Sequence, residues 1–259
     1  LASGVRLNTA GELFVQHIRT QTAELARVQS QIADLSGIRR GHVRIASGAD
    51  TMRYFLPETV ARYRGEHPAV TFDLVRQSGN AAEQALRTLE ADLALIFEPI
   101  KSADFQTMAT ARQQLYCMMA ANHPLAKKPV IRLRDCVGQS AILPRADAGL
   151  RQLLNVGLIR RSVELGTVIE SNSQEFLQNY LTHEMVISFQ IPIAMPSDLI
   201  TTPANDRKIV ARPVDLADVP AGILHIGQLK GRVLPVAAAK FLDSIITELG
   251  ARYGDDIDQ

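Results

Sequence analysis

The side chains best placed to do chemistry in this chain are hydroxyls, amides and one arginine gathered at turns. In Ser47-Gly48-Ala49-Asp50-Thr51, in Arg145-Ala146-Asp147-Ala148-Gly149 and in Glu170-Ser171-Asn172-Ser173-Gln174, a polar cluster precedes a stretch with helical spacing. The first turn of a helix has N–H groups without intrahelical partners, and its dipole adds partial positive charge. Helix starts that converge on one space therefore suit a small anion such as a carboxylate. Ser171 and Gln174 stand three apart, the spacing of a capping box. For each serine taken singly, the plainer reading is a helix cap. Binding requires the three turns to face one another. Asp50 runs against it, since a carboxylate there repels an anion unless it is turned away or paired.

Other chemistry leaves no mark. There is no phosphate-cradling G-x-x-x-x-G-K-[ST] loop, no G-x-G-x-x-G and no G-x-S-x-G elbow. The six histidines (His17, His42, His67, His123, His183, His225) are scattered and no C-x-x-C occurs, so no metal, cofactor or catalytic group is expected. Cys117 lies in the apolar run Leu115 to Met119, and core packing is the reading for it and for Cys136. With only these two cysteines and no export signal, the expected compartment is the cytoplasm. No apolar run approaches the roughly 20 residues that span a bilayer. A net charge of +1, from 28 basic and 27 acidic residues, gives no bulk field toward nucleic acid. The chain starts at Leu1 without methionine and reads as part of something longer.

The elements that must hold the turns follow from periodicity. From Leu7 to Ser36 the chain reads as one helix, opened by a capping box in Thr9-Ala10-Gly11-Glu12 and ended by Gly37. Ile18, Leu25 and Ile32 recur every seven residues, with Val28 and Leu35 at the complementary position. That narrow stripe is a coiled-coil seam, interrupted by Gln21, and points to dimerisation. A core-facing helix of a single domain is the plainer alternative. Beyond Arg39-Arg40-Gly41, strands and helices alternate: a strand at Val43 to Ala46, helical spacing through Val60 and Tyr63, a strand from Val70 to Val75, a helix from Ala81 to Leu89, and an apolar strand from Leu93 to Phe97. A parallel sheet covered on both faces is expected.

One pattern occurs twice. Val75 to Asn80, a helix with Ala85 and Leu86, and Leu93 to Phe97 match Val168 to Ser173, a helix with Phe176, Leu177 and Tyr180, and Met185 to Phe189. Each is strand, serine-bearing turn, helix and apolar strand ending in phenylalanine. Two similar α/β halves would leave a cleft between them, with the serine turns at the carboxyl ends of strands, where open sheets bind ligands. Chance likeness of two βαβ units remains the alternative.

Taken in order and spacing, Gly4 to Glu12, Gly41 to Ala46, Leu56-Pro57, His67-Pro68, Ala91 to Leu95, Asn122 to Leu125 and Glu170 to Ser173 make the chain resemble, over nearly its whole length, a LysR-type transcriptional regulator. Gly4 to Glu12 resembles the end of that family's winged helix-turn-helix and the start of its linker helix. Gly41-His42-Val43-Arg44-Ile45-Ala46 resembles the first strand of the effector domain, and Leu56-Pro57 with His67-Pro68 brackets its first helix. Ala91 to Leu95, Asn122-His123-Pro124-Leu125 and Glu170 to Ser173 continue the match. The resemblance implies two Rossmann-like subdomains of periplasmic-binding-protein type behind a long N-terminal linker helix. It implies residues 1–40 as the end of the winged helix-turn-helix plus linker helix, 41–115 with 222–259 as subdomain one, and 116–221 as subdomain two. Effector contacts carried over by position are Ser47, Thr51, Phe97, Arg145, Ser171, Phe189 and Gln190. It further implies a homodimer or homotetramer, with promoter DNA and RNA polymerase as partners only of a longer parent; the small organic acid expected as effector comes from the converging helix starts and not from the resemblance. The runner-up is a solute-binding protein of a transporter. A small transferase comes third, and no activated nucleophile supports it.

Overall fold

In a computed structural model, which describes residues 7–35, 40–196, 199, 208–254 and 257–258, the alternating pattern becomes two sheets with helices packed on them. The chain runs α1 (Thr9–Leu35), β1 (Gly41–Ser47), α2 (Ala49–Met52), α3 (Phe55–Glu66), β2 (Val70–Arg76), α4 (Asn80–Arg87), β3 (Leu93–Phe97) and β4 (Phe105–Gln113). It continues through β5 (Tyr116–Ala120), β6 (Ser140–Pro144), α5 (Gly149–Arg161), β7 (Gly166–Ser171), α6 (Gln174–Tyr180), β8 (Ile187–Gln190) and β9 (Ile209–Pro213). The last described elements are β10 (Gly222–Leu229), α7 (Val236–Tyr253) and β11 (Ile257–Asp258).

The two sheets share one plan. The first is ordered β2-β1-β3-β10-β4-β11 and the second β7-β6-β8-β5-β9. In each, a central strand (β1 or β6) is flanked by two parallel neighbours that a helix connects, α4 between β2 and β3, α6 between β7 and β8. The repeat legible in the sequence is this βαβ unit. The wholly parallel sheets expected are not found. β10 runs antiparallel between β3 and β4, and β5 runs antiparallel between β8 and β9. Topology explains the difference, because each of these strands enters its sheet from the other half rather than through a helical crossover. The chain crosses twice, at 114–115 and between β9 and β10. The crossings are hydrogen-bonded, Gln114 Nε2 donating to Val214 O at 2.9 Å and Val214 N to Leu115 O at 2.8 Å.

Local chemistry corrects two caps. Asn8, not Thr9, caps α1, its Oδ1 accepting the Gly11 N–H at 2.8 Å. Ser173, not Ser171, caps α6 by accepting the Phe176 N–H at 3.2 Å. Gly37, expected to end the first helix, lies outside the described residues, as does the side chain of Leu35. Ile18, Leu25, Val28 and Ile32 of the seam stay exposed, from 41 to 59%. A different side of α1 touches the body, with Ala23 buried, Arg19 paired to Glu90 at 2.8 Å and Gln16 bonded to Arg87 O. Cys117 and Cys136 are both in the core. Burial pushes the Cys117 thiol well up, and the Cys136 thiol beside it pushes the same way.

Candidate functional site

Because β1, β2 and β3 are parallel, their carboxyl ends leave the first sheet on one edge, and β6 and β7 do likewise in the second. The loops that follow face each other around a cavity of about 490 Å³, a size suited to a small organic molecule. Gly48 to Asp50, Arg76 to Ala81 and Phe97 to Pro99 come from the first half. Pro144 to Gln152, Ser171, Asn172, Gln174 and Leu177 come from the second, with Arg145 but not Ala146 or Arg151 among them. The two halves touch where α5 begins. A Cβ added to Gly149 would lie 2.3 Å from the Glu98 carbonyl oxygen, so only glycine lets α5 start this close to the end of β3.

The structure brings three of the seven sequence-predicted contacts to this cavity. Phe97 is half-buried, Ser171 half-buried and Arg145 exposed, and all three line it. Ser47 and Thr51 sit beneath it. They are fully buried with their hydroxyls bonded to each other, Ser47 Oγ also reaching Leu95 O and Thr51 Oγ1 reaching Gly48 O at 3.3 Å. What the first turn presents to the cavity is Gly48, Ala49 and Asp50. Phe189 and Gln190 are buried in β8, which β5 and β6 flank, and Gln190 Oε1 accepts the Ile191 N–H at 2.9 Å. Neither is among the lining residues. Ser171 Oγ accepts the Ser173 N–H at 3.0 Å, which shapes the turn before α6.

Two residues that went unnoticed as site members, Arg76 and Lys101, join the expected Arg145 in supplying the charge. Arg76, Lys101 and Arg145 line the cavity, and among the described residues none of these three side chains is in an ion pair or a hydrogen bond. Asn80 and Ala81 at the start of α4, and Gly149 and Leu150 at the start of α5, line the same cavity, and the helix dipoles add partial positive charge there. Against them stand three carboxylates. Glu98 Oε1 accepts the Ile223 N–H at 2.9 Å. Asp147 lines the opposite half. Asp50 reaches across the cavity to Gln174 Nε2, and next to it Arg53 reaches Gln178 Oε1, so two side-chain bonds tie the halves together. Burial pushes the Asp50 carboxyl above the usual carboxylate range, and the Gln174 hydrogen bond only partly offsets this. Each glutamine also keeps one buried atom without a partner, Oε1 of Gln174 and Nε2 of Gln178. No group of three or more His, Cys, Asp or Glu side chains able to hold a metal occurs among the described residues. None of the helices among the described residues is long and apolar enough to cross a membrane.

Comparison with known proteins places this architecture. The chain is 24% identical over 242 residues to the HTH-type transcriptional activator CmpR of Synechocystis sp., covering 92% of this chain and 76% of that protein. The effector-binding domain of QuiR, solved with shikimate, superposes with a TM-score of 0.68 at 18% identity, covering 83% of this chain and 99% of that one. The regulatory domain of Synechocystis CcmR, solved with 2-PG, gives 0.69 at 20% identity over the same shares. The relatives are transcriptional regulators, which speaks for the regulatory reading and not for a transporter component. The family model described as the LysR substrate binding domain matches residues 36–250. The protein therefore belongs to the LysR-type transcriptional regulators, and most of this chain is their effector-binding domain.

Proposed function

We propose that this chain senses a small carboxylate in the cavity between its two sheets and passes that state to a linker helix that pairs with a second copy. The observation that carries the ligand class is the set of three cations, Arg76, Lys101 and Arg145, which form no ion pair among the described residues and lie beside the starts of α4 and α5. Phe97 from one half and Ser171 from the other give the lining an apolar face and a hydroxyl. QuiR and CcmR, which share the fold, hold shikimate and 2-PG, and a bound small molecule is the reading for this cavity too. The membership of the two sheets supports a division into 41–115 with 222–259 and 116–221, for which the paired crossings would serve as the hinge. Binding without catalysis is the reading that the relatives, all transcriptional regulators, support. In a longer parent in the cytoplasm, the pairing would set the spacing of DNA-binding heads and so contacts with promoter DNA and RNA polymerase.

The exposed stripe Ile18, Leu25, Val28 and Ile32, repeating with a heptad period, fits a second helix of the same kind and supports a homodimer or homotetramer. Thermal shift with small carboxylates tests the ligand class. At one hundred times its dissociation constant a ligand stabilises by about 2.7 kcal/mol. A response to amines or neutral compounds, and to no acid, would remove the assignment. Sedimentation of Leu25→Glu tests the second part. A monomer is expected where the unaltered chain associates.

A further inference from the structure

The cavity asks for two kinds of ligand group, and the second is a hydrogen-bond donor. Asp50 lines the wall, half-buried, and among the described residues its one side-chain partner is a neutral amide, Gln174, carried by the opposite half. A bare carboxylate ligand would meet Arg76, Lys101 and Arg145 favourably but would bring like charge toward Asp50. Gln174 holds Asp50 at a cost, because the same amide keeps its Oε1 buried with no donor. Gln174 is only half-buried, so leaving Asp50 would free its amide to turn toward solvent, where water can satisfy that oxygen. A ligand donor that takes over Asp50 therefore replaces a half-satisfied bond with a satisfied one. Burial, which raises the proton affinity of Asp50, makes it a strong acceptor for such a group.

We propose that the effector is an acid bearing a hydrogen-bond donor, a hydroxy or amino acid, whose carboxylate meets the cations while its donor displaces the Gln174 amide from Asp50. This rests on the carboxylate reading given above and adds a second, independent contact. Closure of the two halves around the ligand then exchanges a protein–protein bond across the cavity for one through the guest, so Gln174 acts as the ligand's competitor.

Calorimetric titration with matched acids tests this: propionate, lactate and alanine, then succinate, malate and aspartate. The donor-bearing member of each set is expected to bind about 10-fold tighter or more, the worth of one hydrogen bond to a charged group. Hydroxy and amino members distinguish the two sources of the donor. Asp50→Asn should move the two classes in opposite directions, tightening propionate and succinate by removing repulsion and weakening the donor-bearing acids. Gln174→Ala should tighten the donor-bearing acids by removing the competitor. A general loss of structure would weaken both classes in both variants, and circular dichroism identifies it. Plain acids that bind as tightly as their donor-bearing partners, or a preference that survives Asp50→Asn, overturn the proposal while leaving the carboxylate reading intact. Should none of the six acids bind while amines or neutral compounds do, both fall together.

Discussion

Asp92 and Asp50 serve opposite ends of the same sheet and are treated in opposite ways. Asp92 stands just before β3 with no exposure to solvent. It takes the Arg44 backbone N–H at 2.9 Å, the Arg44 guanidinium at 2.8 Å and the Arg232 guanidinium at 2.7 Å. Those arginines are fixed in turn by Leu89 O and Ala91 O. Asp50, at the end where β1 gives way to α2, has one neutral amide from across a cavity. Saturating a carboxylate with charged donors locks its surroundings, whereas a single neutral donor leaves it open to exchange. The amino edge of the sheet is thus built to hold and the carboxyl edge to trade partners. The second half repeats the first arrangement at Asp218, which takes two bonds from Arg132, one from Arg161 and the Leu133 N–H, and is nearly inaccessible.

If the contrast is right, the largest effect belongs to the locked carboxylate. Asp92→Ala strands two guanidinium groups in a closed network and should cost about 3–5 kcal/mol, read from urea unfolding. A loss below about 1 kcal/mol would mean that the network is ornamental and the contrast empty. Asp218 sharpens the picture through pH. The Arg132 hydrogen bonds come first, with the Leu133 N–H and Arg161 helping, and they hold its carboxyl below the ordinary 3.8. Its stabilising contribution is complete above 3.8 and fades as pH falls through the depressed native value. Asp218→Asn should therefore melt lower than the unaltered protein at pH 7, and the gap should close in strong acid. A gap that stays constant with pH would show that shape rather than charge is what Asp218 supplies. At the carboxyl edge the effects should be smaller. Ser173→Ala removes the cap of α6 and should cost about 1 kcal/mol. Ser171→Ala, which loses only a bond to the Ser173 N–H, should cost less than that, measured in the same unfolding series.

Much of this was readable from residue order, and the remainder fails for a physical reason. The βαβ repeat, the three polar turns and the seam of α1 are local patterns, set by side-chain period and turn chemistry. Ser47 and Thr51 carry the right types at the right turn, but an i,i+4 pairing of hydroxyls satisfies both internally and turns their neighbour Asp50 outward. Of two serines two apart before α6, the geometry of the turn decides which one caps, and composition cannot. Phe189 and Gln190 sit in a strand whose two neighbours were fixed by crossings that no local window contains. The pairings that matter most join residues 124 positions apart for Asp50 and Gln174, and 140 for Asp92 and Arg232. Such pairs are made by topology. Even so, the misfit of Asp50 with an anion site was visible in the sequence, and it marked the residue on which the ligand argument now turns.

The subtlest break of the contrast is Asp50→Asn in the absence of any acid. Burial raises the Asp50 carboxyl above its unfolded value of 3.8, so the native protein binds that proton more tightly than the unfolded chain does. The protein is therefore most stable, as far as this group is concerned, below 3.8, and loses stability as pH rises through the raised native value. Asparagine has no proton to lose and still offers Oδ1 to the Gln174 amide. The variant should then melt above the unaltered protein near pH 7.5, with the advantage shrinking steadily toward pH 4. Asp92→Asn should show no such gain at any pH, because its partners are charged donors that an amide satisfies less well. A variant at position 50 that melts lower at pH 7.5 would place Asp50 with Asp92 among the fastenings of the fold, and the distinction between the two edges of the sheet would dissolve.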